Sequence, residues 1–466
     1  MKFIGREKEL ADISAKLLSD RSEALLVYGR RRMGKSELIR QAMKLVEKKE
    51  TEDTIVIRYV CRKSPFEQNL QGLTKAVNAA LGEKHLAYED LGELAEDVFS
   101  RAERTGKKVV LYIDEYPLIR GNDAGVDSCL QIAYDEYHQR GLIKLILCGS
   151  YIDIMQKVIE GDSPLFGRFS YILKLGPFDY YTAARFYPEC TQEDKLVYYS
   201  FLGGVPFYLN MIDHTKTPLE NMQALLIPSG SILENEIQLQ LAEELRKVEN
   251  ANFILEKIGR GVTKYTALNE AYSGTGGITY LLKRLTDLGL IEKVFPINAK
   301  EDKKKVQYFI CDNLLDFYYR FLYGESTARE TMNPKRFYKE LVEDVYRTQY
   351  LPEKFEQITK EYLIRQNTED KIDPPFTAIG RFIYNDRAKK KNGEFDVVTE
   401  DKNGWITYEC KYTNDKIGNQ VIRSEVYEAQ QLGLDFYRFG FVSRNGFTED
   451  IERKNHIFIT LQDMYR

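Results

Sequence analysis

The sequence has few of the residues on which disulfide frameworks and zinc sites depend. Six cysteines and four histidines occur in 466 residues, and the cysteines are scattered, with no CxxC pair among them. This scarcity excludes a clustered zinc site of the common kind. It is typical of reduced thiols in a reducing compartment.

Long apolar runs and an excess of basic charge are also missing. No stretch approaches the ~20 apolar residues of a membrane helix, and the opening MKFIGRE is charged too early for a signal peptide. The formal net charge of −4 excludes a generally basic surface, so any contact with nucleic acid must use local patches. We therefore expect a cytoplasmic protein without a membrane segment, built from about two to four domains.

Short apolar strands alternate with helices over the first 180 residues. Apolar runs predict strands at 24–28, 54–60, 109–113 and 143–148, and the pattern at 34–46 predicts a helix. Such alternation favours a mainly parallel sheet that is covered on both faces. After residue 180 the pattern is mostly helical.

The motif GRRRMGKS at 29–36 follows the first strand and opens the helix. The spacing GxxxxGK[ST] suits a P-loop, whose backbone N–H groups surround phosphate at the positive end of a helix dipole. Lys35 is expected to reach the β- and γ-phosphates, and Ser36 to ligate Mg²⁺. Since no NKxD motif is present, the expected nucleotide is ATP. The nucleotide-binding residues predicted here are Gly29, Arg32, Met33, Gly34, Lys35, Ser36 and Glu37.

An acidic pair, Asp114 and Glu115, ends the strand at 109–113. In isolation such a pair is often only a helix cap. Beside a P-loop, it predicts that Asp114 holds Mg²⁺ and that Glu115 polarises the attacking water. Ser150 is either a sensor of the γ-phosphate or a helix N-cap, and Arg168 is either an arginine finger or a surface charge.

Six short motifs occur in a familiar order: FIGRE (3–7), the P-loop (29–36), IDE (113–115), LCGS (147–150), PLFGR (164–168) and GGVPFYL (203–209). Together they resemble the archaeal-type ATPase family, within the AAA+/STAND group of P-loop ATPases, over roughly residues 1–215. The resemblance implies that Arg6 lies near the adenine and that residues 204–206 lie in the lid. It also implies that Arg168 is catalytic or acts between subunits.

Residues 251–311 combine helices with a hairpin. Helices are predicted near 251–258, 264–272 and 278–288, followed by strands at 290–297 and 306–310, which is the order of a winged helix. Thr279, Lys283 and Arg284 are the expected exposed face of the third helix, and the lysines at 303–305 could contact phosphates. The pattern leaves contact with DNA and contact with protein equally open. The aromatic run at 317–323 is expected to pack as core between domains.

The last region returns to an α/β pattern. Helices near 335–348 and 353–366 precede strands near 379–384, 394–399, 405–412 and 436–442. If the turn of the middle hairpin centres between Lys402 and Asn403, Asp396 lies opposite Glu409, about 5 Å away at Cβ. Lys411 then shares their face by the period of two.

Two carboxylates and a lysine on one face suit Mg²⁺-assisted attack on a phosphodiester. The alternative is an ordinary ion pair on an exposed hairpin. The pattern Asp396…Glu409-Cys410-Lys411 resembles the PD-(D/E)XK nuclease signature, with Phe395 replacing the usual proline. The region also resembles a nuclease-like domain of unknown function that is fused to archaeal-type ATPases. This resemblance implies that Glu356 is a further metal ligand.

We therefore predict an α/β protein with four parts: a P-loop ATPase core (1–180), a helical lid (181–250), a winged helix (251–330) and a restriction-endonuclease-like domain (331–466). Its predicted cofactors are ATP and Mg²⁺. Its predicted partners are DNA and either further copies of the chain or another protein. The alternative function is a regulatory or scaffold ATPase that binds proteins and carries an inactive nuclease-like domain.

Overall fold

The computed structural model describes residues 3–49, 54–121, 123–245, 248–272, 274, 277–299, 302, 304–386, 391–452 and 455–466. The chain divides into two compact units, Met1–Pro177 and Phe178–Arg466. Within the described ranges, no helix combines the length and apolarity needed to cross a bilayer. All six cysteines are free thiols.

The first unit is built on a parallel sheet with the strand order β2-β3-β4-β1-β5. The strands are β1 (Glu23–Tyr28), β2 (Thr54–Val60), β3 (Lys108–Asp114), β4 (Ile143–Gly149) and β5 (Tyr171–Lys174). The helices are α1 (Glu7–Leu18), α2 (Lys35–Lys49), α3 (Phe66–Leu81), α4 (Leu91–Thr105), α5 (Pro117–Arg120), α6 (Gly125–Tyr137) and α7 (Ile152–Lys157), with a 3₁₀ turn at His138–Arg140.

The parallel sheet and four of its strands were predicted, and the structure confirms them. β1 and β4 are buried along their whole length, as continuous apolar strands between two helical layers should be. The fifth strand was missed. β5 has only four residues, which alternate between half-buried and exposed positions at the sheet edge, so its apolar signal is short.

The second unit begins with short helices and continues through a hairpin. Its first helices are α8 (Tyr180–Ala183), α9 (Gln192–Leu202), α10 (Pro206–Leu209), α11 (Pro218–Leu225), α12 (Ile232–Glu244), α13 (Val248–Gly259), α14 (Tyr265–Ala271) and α15 (Ile278–Asp287), with a 3₁₀ turn at Ala184–Phe186. The strands β6 (Ile291–Val294) and β7 (Gln307–Ile310) pair antiparallel. The three helices and the hairpin predicted for 251–311 therefore lie where expected.

A helical segment joins this hairpin to the C-terminal sheet. It contains α16 (Asn313–Phe317), α17 (Ser326–Thr331), α18 (Pro334–Phe337), α19 (Glu343–Val345) and α20 (Leu351–Thr368), with π-helical turns at Tyr318–Leu322, Tyr338–Val342 and Tyr346–Tyr350. Most aromatic side chains of the predicted core run are buried: Phe317 and Tyr319 have no exposed surface, whereas Tyr323 is half-buried. Phe317 packs edge-on against Tyr346 and Tyr350.

The C-terminal sheet has the order β12-β11-β10-β9-β8. Its strands are β8 (Ala378–Asp386), β9 (Lys391–Asp401), β10 (Gly404–Lys411), β11 (Phe436–Ser443) and β12 (His456–Thr460), and its helices are α21 (Asn419–Gln431) and α22 (Leu461–Met464). β8, β9 and β10 pair antiparallel, whereas β10, β11 and β12 pair parallel. Four of these strands were predicted; β12 and α21 were not.

Candidate functional sites

The P-loop bends sharply between β1 and α2. Its backbone takes positive φ at Gly29 (152°), Arg32 (67°) and Gly34 (84°). A Cβ atom on Gly29 would lie 2.2 Å from the carbonyl oxygen of Leu175, which no side chain tolerates. Only glycine therefore lets the loop leave β1 so close to the chain that follows β5.

Lys35 lies inside this loop at the first residue of α2. Its side chain is buried, and its ammonium donates hydrogen bonds to the carbonyl oxygens of Gly29 (2.9 Å) and Arg30 (3.0 Å). Burial lowers the pKa of Lys35, while nearby Cys148, Glu115 and Asp114 act in the opposite direction. The ammonium is thus held by backbone oxygens rather than by a carboxylate.

The acidic pair lies where β3 ends. Asp114 is buried and accepts a hydrogen bond from the backbone N–H of Glu115 at 3.0 Å. Glu115 has a φ of 49°, a left-handed conformation that is uncommon for a residue other than glycine, asparagine or aspartate. Strained backbone of this kind concentrates at functional sites because the surrounding structure must hold it in place.

Ser150 follows β4, the strand that lies between β1 and β3. Its backbone N–H and its hydroxyl both donate to the same Oε2 atom of Glu115, at 3.2 and 2.8 Å. Helix α7 begins two residues later, with Tyr151 at its N-cap position and no side-chain cap. Of the two alternatives for Ser150, the helix cap is therefore wrong; the role as phosphate sensor stays a prediction.

The other residues predicted for this site differ in their surroundings. Ser36 and Arg32 are exposed, whereas Met33 is buried. Glu37 is half-buried and accepts hydrogen bonds from Arg40 on the surface of α2. The exposed residues show that one side of the P-loop is open to solvent. The contacts with nucleotide that the sequence assigns to these residues stay predictions.

The two arginines implied by the family resemblance both have partners in the first unit. Arg6 is the N-cap residue of α1 with a φ of 63°, and its guanidinium binds Glu9 and the carbonyl oxygen of Gly176. The guanidinium of Arg168 pairs with Asp135 at 3.0 Å. A role near the adenine or as an arginine finger would require each guanidinium to exchange the partner it has here.

The C-terminal hairpin has the predicted register. Gly404 pairs with Asp401, and the register continues to Tyr408 opposite Val397. The next positions along the two strands are Glu409 and Asp396. The turn therefore centres between Lys402 and Asn403, as the sequence predicts.

Side-chain cations neutralise the carboxylates of this hairpin. Lys411 contacts Glu409 at 2.8 Å and Glu425 on α21 at 2.7 Å. Arg381 on β8 approaches Asp396, with 3.7 Å between Nε and Oδ1. The sequence did not point to Glu425 or Arg381, because each reaches the hairpin from a neighbouring element outside it, α21 or β8.

Glu356 projects from α20 toward the same cluster. Burial, reinforced by the negative charge of Asp396, raises the pKa of Glu356 to about 8. Burial also raises the pKa of Glu409, although Lys411 opposes this shift. In the described ranges, no three His, Cys, Asp or Glu side chains are grouped closely enough to hold a metal ion. The structure therefore does not bring Glu356, Asp396 and Glu409 together as a metal-binding group, and their role as metal ligands stays a prediction.

The hairpin β6–β7 is tied to β8 instead of standing free. Ile297 donates its backbone N–H to the carbonyl oxygen of Arg381 at 2.7 Å, and Asn298 exchanges two hydrogen bonds with the backbone of Ile383. The Arg381 guanidinium lies 4.5 Å from the centre of the Phe309 ring. Of the predicted basic wing residues, Lys304 and Lys305 are exposed; Lys303 lies outside the described residues.

Comparison with known proteins gives two family matches. Residues 3–212 match a family described as an ATPase domain predominantly from Archaea. Residues 318–424 match a family described as archaeal and bacterial proteins of unknown function. An uncharacterized protein of Methanocaldococcus jannaschii is 26% identical over 473 residues, covering 99% of each chain.

Solved structures resemble the chain at the level of fold. A Walker-type ATPase of Pyrococcus abyssi is similar with a TM-score of 0.51 and 18% identity, covering 68% of this chain and 96% of that one. The ORC2 protein of Aeropyrum pernix gives a TM-score of 0.48 and 15% identity, covering 68% and 93%. Residues 3–212 thus match an archaeal-type ATPase domain, and residues 318–424 match the second family. The likeness to the Pyrococcus abyssi ATPase shows the predicted P-loop fold.

Proposed function

We propose that this chain is an ATP-driven switch. The N-terminal domain binds and hydrolyses ATP with Mg²⁺, and the nucleotide state controls a winged-helix and nuclease-like module that acts on DNA. One observation carries the ATPase half: Lys35, Asp114 and the Glu115–Ser150 pair lie together where β1, β3 and β4 end, around a loop that only glycine can form.

The residues around the loop fit a magnesium nucleotide. The Ser36 hydroxyl and the Asp114 carboxylate are hard oxygen donors of the kind that Mg²⁺ prefers, and the bound ion would neutralise charge on the phosphates. Lys35 would exchange its two carbonyl partners for phosphate oxygens. Glu115, oriented by the hydroxyl and N–H of Ser150, would orient the attacking water and accept its proton.

A contact within the second unit supports coupling between the predicted lid and the C-terminal domain. Glu361 on α20 accepts hydrogen bonds from the backbone N–H of Tyr180 (2.9 Å) and from the hydroxyl of Tyr199 (3.0 Å). Burial raises the pKa of Glu361 to about 7, despite these hydrogen bonds. Since Glu356 lies on the same helix, a shift of the segment around Tyr180 would move α20 and, with it, one member of the carboxylate cluster.

The C-terminal topology supports the nuclease-like interpretation. Helix α20 precedes three antiparallel strands, and α21 then leads into the parallel strand β11. The register makes Asp396 and Glu409 the next pair along β9 and β10, and Lys411 contacts Glu409. Oxygen donors beside a lysine suit an ion that activates water at a phosphodiester.

The surface of α15 supports contact with DNA. Thr279, Tyr280 and Lys283 are exposed there, and Tyr280 has 76% of its surface accessible. Arg284 is half-buried. Because residues near Ile297 and Asn298 are tied to β8, we assign base or phosphate contacts to the helix and only phosphate contacts to Lys304 and Lys305.

A second candidate function is a regulatory ATPase whose C-terminal domain binds protein partners and does not cut DNA. The observation that favours it is the charge balance at the hairpin. Lys411 is shared by Glu409 and Glu425, and Arg381 lies beside Asp396. A metal ion would have to compete with these cations.

One experiment separates the two functions. ATP hydrolysis and cleavage of supercoiled, linear and single-stranded DNA would be measured in the same reactions, with Mg²⁺ and with EDTA, for the wild type, Glu115→Gln and Glu409→Gln. We expect Glu115→Gln to bind ATP but to hydrolyse it about 100-fold more slowly, and Glu409→Gln to hydrolyse ATP normally but to lose DNA cleavage. Glu449→Gln, a change at an exposed carboxylate outside the cluster, is the matched control.

The possible outcomes test each half of the proposal. Unchanged hydrolysis in Glu115→Gln would remove that residue from the ATPase mechanism. If the wild-type protein hydrolyses ATP but never nicks any DNA form, the nuclease half is wrong and the regulatory ATPase stands. Salt-dependent stimulation of hydrolysis by DNA would still show that DNA is a partner.

A further inference from the structure

One tyrosine in the candidate nucleotide site has no part in the mechanism described so far. Tyr112 lies on β3 two residues before Asp114, so both side chains point to the same face of the sheet. That face carries the P-loop side of the site, because Ser36 and Asp114 are both polar neighbours of the Tyr112 hydroxyl.

The hydroxyl of Tyr112 is buried without a well-formed hydrogen bond. Only 6% of the residue is accessible, and its hydroxyl oxygen is shielded from solvent with no partner that meets hydrogen-bond geometry. Asp114 and Ser36 are its polar neighbours, and neither meets hydrogen-bond geometry with it.

A buried hydroxyl without a hydrogen bond lowers the stability of the folded chain, and a phenylalanine at the same position would not. Such groups in native structures call for an explanation, and a water or ion bound at the site is a common one. Here the polar neighbours of the hydroxyl are the two residues predicted to ligate Mg²⁺, so a water bound to that ion would be a suitable hydrogen-bond partner.

We infer that Tyr112 is a positioning residue for the magnesium ion, with its hydroxyl donating a hydrogen bond to a water in the ion's coordination shell. This inference rests on the proposed ATPase function. Mg²⁺ keeps several waters when it binds with a nucleotide and only one or two protein ligands. Groups that orient the ligands of a metal from outside its coordination shell typically change metal affinity by about 10- to 100-fold when they are removed.

The test is Tyr112→Phe, which removes the hydroxyl and keeps the ring. Binding of a fluorescent ATP analogue would be titrated in EDTA and at a series of Mg²⁺ concentrations, using the full-length protein. We expect unchanged affinity in EDTA and an Mg²⁺ requirement for tight binding that rises about tenfold. The Mg²⁺ concentration for half-maximal hydrolysis should rise by the same factor.

The matched control is Tyr187→Phe. Tyr187 is also buried, its hydroxyl also lacks a hydrogen-bond partner, and it lies in the second unit. This change should leave both Mg²⁺ titrations as in the wild type. Thermal unfolding of both variants would show that neither is misfolded.

Two results would overturn the inference. If Mg²⁺ strengthens nucleotide binding equally in the wild type and in Tyr112→Phe, the hydroxyl does not act on the metal. If Tyr112→Phe weakens binding as much in EDTA as in Mg²⁺, the hydroxyl acts on the nucleotide or the loop instead. A wild-type protein that neither binds nor hydrolyses ATP would be a different result, because it would refute the proposed ATPase function.

Discussion

The two polar sites of this molecule hold their lysines in different ways. In the P-loop, the Lys35 ammonium is bound by two backbone carbonyl oxygens. In the C-terminal hairpin, the Lys411 ammonium is bound by two carboxylates. A phosphate can replace the carbonyl oxygens bound to Lys35 without leaving a carboxylate unpaired. A ligand that binds the Lys411 ammonium must instead break its ion pairs with Glu409 and Glu425.

This difference separates a site that is ready for an anion from one that is already neutralised. Breaking a partly buried ion pair leaves one charge without a partner. The free-energy cost of that unpaired charge weakens the binding of any ligand at the site. At the first site, the Lys35 ammonium can exchange its carbonyl partners for an anion without leaving a carboxylate unpaired. The second needs a rearrangement or a metal ion to replace its cations.

The largest effect is expected from Lys35→Ala. Loss of the ammonium removes the charge that we propose faces the β- and γ-phosphates, and we expect ATP affinity to fall at least about 100-fold. Isothermal titration with ATP and Mg²⁺ measures this change. Lys44→Ala, an exposed lysine on the same helix, should bind ATP as the wild type does; equal losses in the two variants would contradict the role of Lys35.

A smaller effect, on stability, is expected from Lys411→Met. Removing this ammonium leaves Glu409 and Glu425 facing each other without a cation, and we expect the free energy of unfolding to fall by about 2 kcal/mol at neutral pH. Urea denaturation followed by circular dichroism measures it. Lys35→Ala should cost less, because no carboxylate loses its hydrogen-bonded partner there. If Lys35→Ala lowers the free energy of unfolding more than Lys411→Met does, the inferred difference between the two sites is wrong.

The smallest effect on stability is expected from the ionisation of Glu361. Its buried carboxyl differs from both lysine sites, because it is bound by a hydroxyl and by a backbone N–H. Because its pKa is raised to about 7 in the folded chain, the folded state holds a proton that the unfolded state releases near its ordinary pKa. Stability should therefore fall as pH rises through this window, by about 1 kcal/mol between pH 6 and pH 7.5.

The measurement is the difference in unfolding free energy between the wild type and Glu361→Gln at several pH values. The variant cannot ionise, so its stability should change less over this range. Parallel curves for the two proteins would show that Glu361 does not titrate there.

Local sequence signals predicted much of this molecule. The strands β1 to β4, the helices and hairpin of 251–311 and four C-terminal strands follow from apolar periodicity, since burial on one or two faces imposes that periodicity directly. The hairpin register was also predictable, because a two-residue turn fixes which residues pair across it. The strands β5 and β12 were missed because each is short and only partly buried.

The amino-acid sequence by itself determined the P-loop, the acidic pair and the placement of Asp396 and Glu409 along one hairpin. Those features depend on residue order within a loop, a strand end or a single turn. Only the tertiary structure decided that Ser150 holds Glu115, that Arg381 reaches Asp396, that Glu425 shares Lys411 and that the Tyr112 hydroxyl is left without a partner. These contacts join residues from different elements, and only sheet order and helix packing bring such residues together.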